Sequence, residues 1–119
     1  MEQHVIEFAP PAEGLDGVSV FNTFRLGRVW HDRLKTGDEV FLMWSKKMQV
    51  FGRAVVGDVH KGKLRELAEA HARFNHNQSA NPDTAGAAER LIANMMKRYG
   101  PHICHENKLT TCIYLRRIE

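Results

Sequence analysis

The sequence predicts an α+β fold in which a small, mostly antiparallel β-barrel of about five strands is flanked by helices. Five short segments are rich in β-branched and aromatic residues, and two longer segments with apolar residues at helical spacing precede the last of them. Glycines inside one strand segment provide the bends that a barrel requires. At 119 residues, the chain has the size of one globular domain, and we expect a single domain over residues 1–119.

Four strands and one short helix are predicted in the first half of the chain. They are the strands His4–Phe8, Val18–Arg25, Glu39–Trp44 and Met48–Val59, with the helix Arg28–Lys35 before the third strand. The last two strands are expected to form an antiparallel hairpin with Lys46 and Lys47 at its tip. Gly52 and Gly57 lie within the returning strand and predict bulges there.

Two helices and a final strand are predicted in the second half. They are the helices Lys63–Asn75 and Thr84–Tyr99 and the strand Leu109–Ile118. Gly100–Pro101 ends the second helix, because glycine suits the helix terminus and proline cannot continue it.

Composition indicates a cytoplasmic protein with an anionic partner. The chain has no apolar run long enough for a membrane span, and Met1–Pro11 lacks the features of a leader. Two cysteines are too few for a disulfide framework. A net charge of +3 favours an anionic partner.

No metal or other cofactor is predicted. The only potential set of metal ligands is His102, Cys104, His105 and Cys112. Its spacing matches no closed zinc site, and cysteines in an intracellular strand usually behave as small apolar residues.

The segment Asn22–Leu42 resembles the ASCH family, a branch of the PUA-like superfamily. Thr23-Phe24-Arg25 matches the strand-end Thr-x-Arg pattern of the family, and Gly37-Asp38 matches the Gly-Asp pair before its apolar strand. The valine-rich strand Gly52–Val59 and the helical Ala70-His71-Ala72 extend the resemblance. It covers most of residues 18–75, and the final strand fits the topology.

The resemblance implies a pseudo-barrel with a cleft beside an inserted helix, and a role in binding RNA or nucleotide-like ligands. Some members remove an acyl group from a modified cytidine with a lysine, a threonine and a glutamate, and others are ribonucleases. The corresponding residues here are Val20, Thr23 and Asn75. Because a threonine without a neighbouring cation or carboxylate is a weak nucleophile, the deacylation is not expected.

Eight residues are candidates for binding an RNA or nucleotide-like anion: Thr23, Arg25, Arg28, Trp30, Lys46, Lys47, His71 and Asn75. Arg25 leads because its planar guanidinium can bind a phosphate or a base edge. The alternative for Arg25 is a structural salt bridge to Asp38 or Glu39.

Structural alternatives remain open for the other candidates. Arg28 could belong to a solvated helix face, and the Lys46-Lys47 pair could simply form a turn. Trp30 could stack on a base or pack in the core, whereas Trp44 is expected to pack. His71 is expected to be a satisfied core or cleft-wall residue, with a general base as the alternative, and to form a polar pair with Asn75 at the cleft, since they are one helical turn apart.

The sequence therefore predicts an RNA- or nucleotide-binding domain with a basic cleft. One alternative is a metal-independent ribonuclease or other hydrolase of the same fold that uses His71 and Thr23. Another is a protein-interaction module of bacterial or phage origin. The sequence leaves the oligomeric state open.

Overall fold

The computed structural model describes residues 4–9, 20–78 and 81–118. Five strands and three α-helices form in these residues. The strands are β1 (His4–Phe8), β2 (Val20–Leu26), β3 (Glu39–Trp44), β4 (Gln49–Lys63) and β5 (Leu109–Arg117), and the helices are α1 (Val29–Arg33), α2 (Leu64–His71) and α3 (Ala87–Tyr99). A 3₁₀ turn, Ala72–Phe74, follows α2. The predicted α+β class is confirmed.

The strands form one mixed sheet with the order β1-β3-β4-β5-β2. Strand β1 pairs with β3 in parallel, whereas the other three pairs are antiparallel. The first half of the long strand β4 pairs with β3 and its second half with β5. The register shifts opposite Leu42 and Met43, next to Gly52, and again between Val56 and Val59, around Gly57. Both predicted bulges are therefore present, and they let β4 bend between its two partners.

Each face of the sheet covers a hydrophobic core, because apolar side chains alternate along the strands. The inner face of the half-barrel encloses Ile6, Phe8, Phe21, Leu34, Val40, Leu42, Ala54, Val56, Ile113 and Leu115. The opposite face packs against α2 and α3 through Phe24, Leu64, Leu67, Ala68, Ala72, Ala87, Leu91, Ile92, Met95, Cys104 and Cys112. Arg65 of α2 links the helical layer by pairing with Glu89 of α3 and with Glu106.

The two edge strands of the sheet, β1 and β2, approach each other, and we call the gap between them the seam. The Phe8 and Phe21 rings meet edge to face across it, with 6.3 Å between their centroids. The segment 75–78 lies along the edge of β2: Asn75 forms an isolated parallel bridge with Asn22, and the His76 N–H donates to the Asn22 carbonyl at 3.2 Å. The curved sheet thus closes through side chains and this segment.

Several predicted element bounds were wrong. The predicted helix Lys63–Asn75 is α-helical only as far as His71, because the chain turns at Ala72–Phe74 and becomes extended where Asn75 meets β2. The predicted strand Met48–Val59 continues to Lys63, because its second half pairs with β5.

Smaller differences affect three other elements. The predicted helix Thr84–Tyr99 begins at Ala87, and the predicted helix Arg28–Lys35 contains only Val29–Arg33. The start of the predicted strand Val18–Arg25, at positions 18 and 19, lies outside the described residues.

Both cysteines are free and buried in the core beneath the helices, where burial raises the pKa of each thiol. In the described ranges, no three His, Cys, Asp or Glu side chains are grouped to hold a metal ion. No helix within those ranges is long and apolar enough to cross a membrane.

Candidate functional site

A cavity of about 420 Å³ opens at the seam. Its walls come from the end of β1, from β2, from the segment 75–78, from α3 and from the β3–β4 turn. The lining residues are Glu7, Phe8, Ala9, Thr23, Phe24, Arg25, Lys46, Asn75, His76, Asn77, Gln78, Leu91, Asn94, Met95, Arg98 and Tyr99. The volume is in the range typical of small-molecule sites.

The alternation of β2 brings the Thr-x-Arg motif to this cavity. Thr23 and Arg25 share the inner face of the sheet with the core residue Phe21, whereas Phe24 points to the helical layer. Thr23 is buried, and Arg25 lies nearer the open end of the half-barrel, where α3 passes the seam. The motif therefore places a hydroxyl and a guanidinium side by side on one wall.

Arg25 spans the seam. Its Nη2 donates to the carbonyl oxygen of Glu7 at 2.6 Å, and its guanidinium lies over the Phe8 ring at 5.0 Å from the centroid. Its Nε is buried and has no hydrogen-bond partner among the described residues. Burial, together with the positive charge of Arg98, lowers the pKa of Arg25 to about 10, against the opposing effects of Tyr99 and Glu7. The guanidinium stays charged at neutral pH, and the side chain is half-buried with its Nε enclosed.

The predicted alternative of a salt bridge from Arg25 to Asp38 or Glu39 is wrong. The Asp38 carboxylate accepts the backbone N–H of Lys35, and the Glu39 carboxylate lies 3.5 Å from Arg53. Both acids lie at the start of β3, whereas Arg25 contacts β1 at Glu7 and Phe8, which pair with the other end of β3.

His76 forms the wall next to Arg25. Its side chain is 8% exposed, and its ring meets Phe8 and Phe21 edge to face at 5.1 and 6.2 Å. Its Nδ1 is buried with no hydrogen-bond partner in the described part of the chain. Burial, and then the charge of Arg25, lowers the pKa of His76 to about 4, so the imidazole is neutral at pH 7.

The charged residues of the cavity are mainly cationic. Among the described lining residues, Arg25, Lys46 and Arg98 are opposed by one carboxylate, that of Glu7, while the backbone of Glu7 accepts a hydrogen bond from Arg25. Lys46 and Arg98 are exposed and stand at the rim. This distribution favours an anionic ligand over a neutral or cationic one.

Carboxamides supply further polar groups. The Asn75 side chain is already used: its Nδ2 donates to the Asn22 carbonyl at 3.3 Å, and its Oδ1 accepts the Asn77 N–H at 3.0 Å. Gln78 Oε1 accepts from Arg90 at 2.7 Å, which leaves its NH₂ group for other partners. Asn94 is exposed on α3 and faces the cavity.

The cavity contains four of the eight predicted binding residues: Thr23, Arg25, Lys46 and Asn75. Arg28 lies elsewhere and pairs with Asp32 at 2.9 Å on α1. Trp30 packs against the inner core and meets the His4 ring at 6.1 Å, while Trp44 stacks on Phe51 at 4.2 Å. The exposed Lys47 follows Lys46 without lining the cavity.

The expected pairing of His71 with Asn75 at the cleft was wrong. His71 Nδ1 lies 2.7 Å from the Tyr114 hydroxyl, and its ring stacks on His60 at 4.4 Å, outside the residues that line the cavity. The backbone turn after His71 rotates the two side chains apart.

Sequence reasoning missed Asn94, Arg98 and Tyr99. The signal was present, since Asn94 and Arg98 are four residues apart on α3 beside the buried Leu91 and Met95. What the sequence does not show is that this edge of the helix passes over the seam.

Comparison with known proteins gives matches at the level of structure. No family model matches the chain, and no curated protein has significant sequence similarity to it. It is similar to the crystal structure of protein EF3133 from Enterococcus faecalis V583, of the family model DUF984, with a TM-score of 0.55. It is also similar to the ASCH domain from Lactobacillus crispatus JV V101, with a TM-score of 0.51.

Both similarities concern the fold, since sequence identity is 10% in each case. The matches cover 82% of this chain, but only 60% and 63% of the two solved chains. The chain therefore spans less than two thirds of the length of these proteins. The strand order, the helical layer and the structural matches together show that the chain has an ASCH-like fold.

Proposed function

We propose that the seam cavity binds an anionic, nucleotide-like ligand, either a nucleotide or a segment of RNA. The observation that carries this proposal is the grouping of Arg25, Lys46 and Arg98 around a partly apolar cavity in which Glu7 supplies the one carboxylate among the described residues. Cations at the rim bind phosphates, and the guanidinium of Arg25 can bind a phosphate or the edge of a base.

The non-charged walls fit the same ligand class. Phe24, Leu91 and Met95 give the cavity an apolar side against which a base can pack. Tyr99 is partly exposed at the rim and offers an aromatic surface for stacking. The NH₂ group of Gln78 can donate to a base edge, and the amide of the exposed Asn94 can both donate and accept.

The hydrolase alternative receives less support. A Thr23 nucleophile needs a base within hydrogen-bond reach, and the imidazole of His71 is held by Tyr114 and His60 away from the cavity. The neutral His76 lies in the cavity, but its ring is packed between two phenylalanines. We therefore propose binding without a catalytic role for His71.

Two matched pairs of variants test where the ligand binds. Arg98 lines the cavity and its exposed neighbour Lys97 does not; likewise Lys46 lines it and Lys47 does not. We expect Arg98→Gln and Lys46→Gln each to weaken the binding of a fluorescent single-stranded RNA roughly tenfold at low salt. Lys97→Gln and Lys47→Gln remove the same formal charge and should change affinity little.

The salt dependence gives an independent readout. Each lost phosphate contact should lower the slope of log affinity against log salt by about 0.7 for single-stranded RNA. Equal effects of both members of each pair would show that only overall charge matters and would contradict binding in the cavity. Wild-type affinity that does not change with salt would contradict an anionic ligand.

A further inference from the structure

The buried wall of the seam cavity carries two polar atoms without partners. Arg25 Nε and His76 Nδ1 are both buried and unpartnered among the described residues. Both side chains lie against the same ring: the guanidinium over Phe8 at 5.0 Å and the imidazole edge-on to it at 5.1 Å. Buried polar groups are normally satisfied, so a pair of orphaned nitrogens on one cavity wall calls for a partner.

We infer that this wall is a subsite for a terminal phosphate group, which Arg25 and His76 bind together. The inference rests on the proposed function and narrows it to ligands with a free phosphate end, such as a nucleoside monophosphate or a phosphorylated RNA terminus. An oxyanion placed here can accept from the guanidinium and from an Nδ1–H imidazole at the same time.

The position of the two nitrogens favours a terminal group over a phosphate within a chain. They belong to the enclosed wall, whereas Lys46 and Arg98 stand at the exposed rim. A compact group at the end of a ligand can reach the wall, while an internal phosphodiester must keep its chain running out in both directions. Internal phosphates therefore suit the rim cations.

Charge also favours the phosphate end. A terminal phosphate carries between one and two negative charges at neutral pH, and an internal phosphodiester carries one. The guanidinium of Arg25 is half-buried, and among the described residues its side-chain hydrogen bond goes to the neutral carbonyl of Glu7 and not to a carboxylate. A terminal phosphate therefore compensates the positive charge of Arg25 better than a phosphodiester does.

His76 makes the binding depend on protons. The groups that surround it are Arg25 on β2, Arg98 and Tyr99 on α3, Lys46 in the turn, Glu7 on β1 and the adjacent Asn77, whose side-chain hydrogen bond acts to raise the pKa of His76. In the free protein, burial and the charges of Arg25 and Arg98 outweigh that hydrogen bond and keep the imidazole neutral. A phosphate at the wall reverses the local charge, so we expect His76 to take up a proton from solvent when the ligand binds.

The test compares short oligouridylates that differ only at their ends: a 5′ phosphate, a 3′ phosphate, or hydroxyls at both ends. We expect one phosphorylated form to bind the wild-type protein about tenfold more tightly than the hydroxyl form. Calorimetry in two buffers of different ionisation enthalpy should show proton uptake with that form near pH 7 and not with the hydroxyl form. This readout needs no variant.

The variant His76→Gln should remove the proton uptake and most of the preference for the phosphorylated end. The matched control is His71→Gln, which removes a partly buried histidine outside the cavity and should leave both intact. Lowering the pH from about 7.5 to about 5.5 should increase the ratio of wild-type to His76→Gln affinity, because only the wild type has an imidazole at this position to protonate. Ionisation of the phosphate affects both proteins equally and cancels in the ratio.

The outcomes separate this inference from the proposed function. Equal, salt-sensitive binding of all three RNAs without proton uptake would overturn the terminal-phosphate subsite and leave the binding cavity standing. A preference that persists unchanged in folded His76→Gln would overturn the role of His76. Failure of every RNA, and of nucleoside monophosphates, to bind would overturn both proposals.

Discussion

Arg25 and His76 show how the surroundings of a residue, more than its type, set what it can do in this protein. One is a half-buried cation, and the other is a histidine held neutral by burial and by that cation. The resemblance of Thr23-Phe24-Arg25 to the ASCH pattern predicted that Arg25 faces a cleft, and Arg25 lines the seam cavity. The state of His76 could not be predicted, because Phe8, Phe21 and Arg25 approach it from positions 51 to 68 residues earlier in the sequence.

The first prediction concerns stability against acid. The pKa of His76 falls from 6.5 to about 4 on folding, so the unfolded chain binds more protons between these values. Stability is complete above about pH 6.5 and should fall by ~3 kcal/mol by pH 4 on account of this residue. Urea unfolding of the wild type and His76→Gln at several pH values measures the difference in pH dependence.

His71 acts in the same direction, because burial also lowers its pKa. His71→Gln therefore measures the share of the acid effect that does not come from the cavity. If the free energy of unfolding falls equally in His76→Gln and in the wild type between pH 7 and pH 4, the prediction is contradicted. His76 would then not be a buried imidazole that folding keeps neutral.

The second prediction concerns deacylation, and it follows from Val20 and Asn75. Val20 is 52% exposed and does not line the cavity, and both ends of the Asn75 amide are already hydrogen-bonded. Thr23 thus has neither an ammonium group at the Val20 position nor a carboxylate at Asn75 to activate it. We expect no hydrolysis of N4-acetylcytidine above the uncatalysed rate when product cytidine is followed by chromatography; enzyme turnover at about 1 per second or faster would contradict this.

At the scale of elements, the curvature of the sheet depends on β4. The site depends on the close approach of the edge strands β1 and β2 at the seam. The hairpin of β3 and β4 and the bulges at Gly52 and Gly57 could be predicted, since they are encoded by local apolar patterns and glycines. The end of α2 could not, because the chain leaves the helix to pair Asn75 with Asn22, a contact between residues far apart in sequence. Because the predicted helix extended to Asn75, His71 was wrongly expected on the same face as Asn75, at the cleft.

The third prediction is that Arg25 holds β1 against β2. The strand β1 pairs only with β3 within the sheet, and Arg25 adds the hydrogen bond to Glu7 and the contact with Phe8 on its other side. Arg25→Ala should speed hydrogen exchange of the β1 amides about tenfold, the equivalent of one charged hydrogen bond. Native-state exchange followed by mass spectrometry or NMR measures this change.

Arg116→Ala is the control, because Arg116 is exposed on β5 and outside the cavity. Arg25→Lys separates charge from geometry, since lysine keeps the charge but loses the planar fork. Exchange in β1 that is the same in Arg25→Ala as in the wild type would show that the seam closes without this residue.

At the scale of the whole molecule, the ASCH-like fold brings five separate stretches of chain to one opening, one of them the β3–β4 turn that carries Lys46. Strands β1 and β2, the segment 75–78 and helix α3 supply Glu7, Arg25, His76 and Arg98 respectively. The fold class and the first two of these elements follow from sequence patterns alone. The meeting of α3 with the seam depends on the packing of the helical layer through Phe24, Leu91 and Met95, which only the three-dimensional structure reveals.

The most direct test of the binding cavity is an NMR titration of ¹⁵N-labelled protein with a short 5′-phosphorylated single-stranded RNA. We expect the largest chemical-shift changes at the amides and side-chain N–H groups of Thr23, Arg25, His76 and Arg98, with little change at Arg28, Lys47 and Lys97. The reason is that the first four line the seam cavity and the other three do not. Shifts concentrated on α1, or spread evenly over all basic surfaces with none in the cavity, would contradict the account.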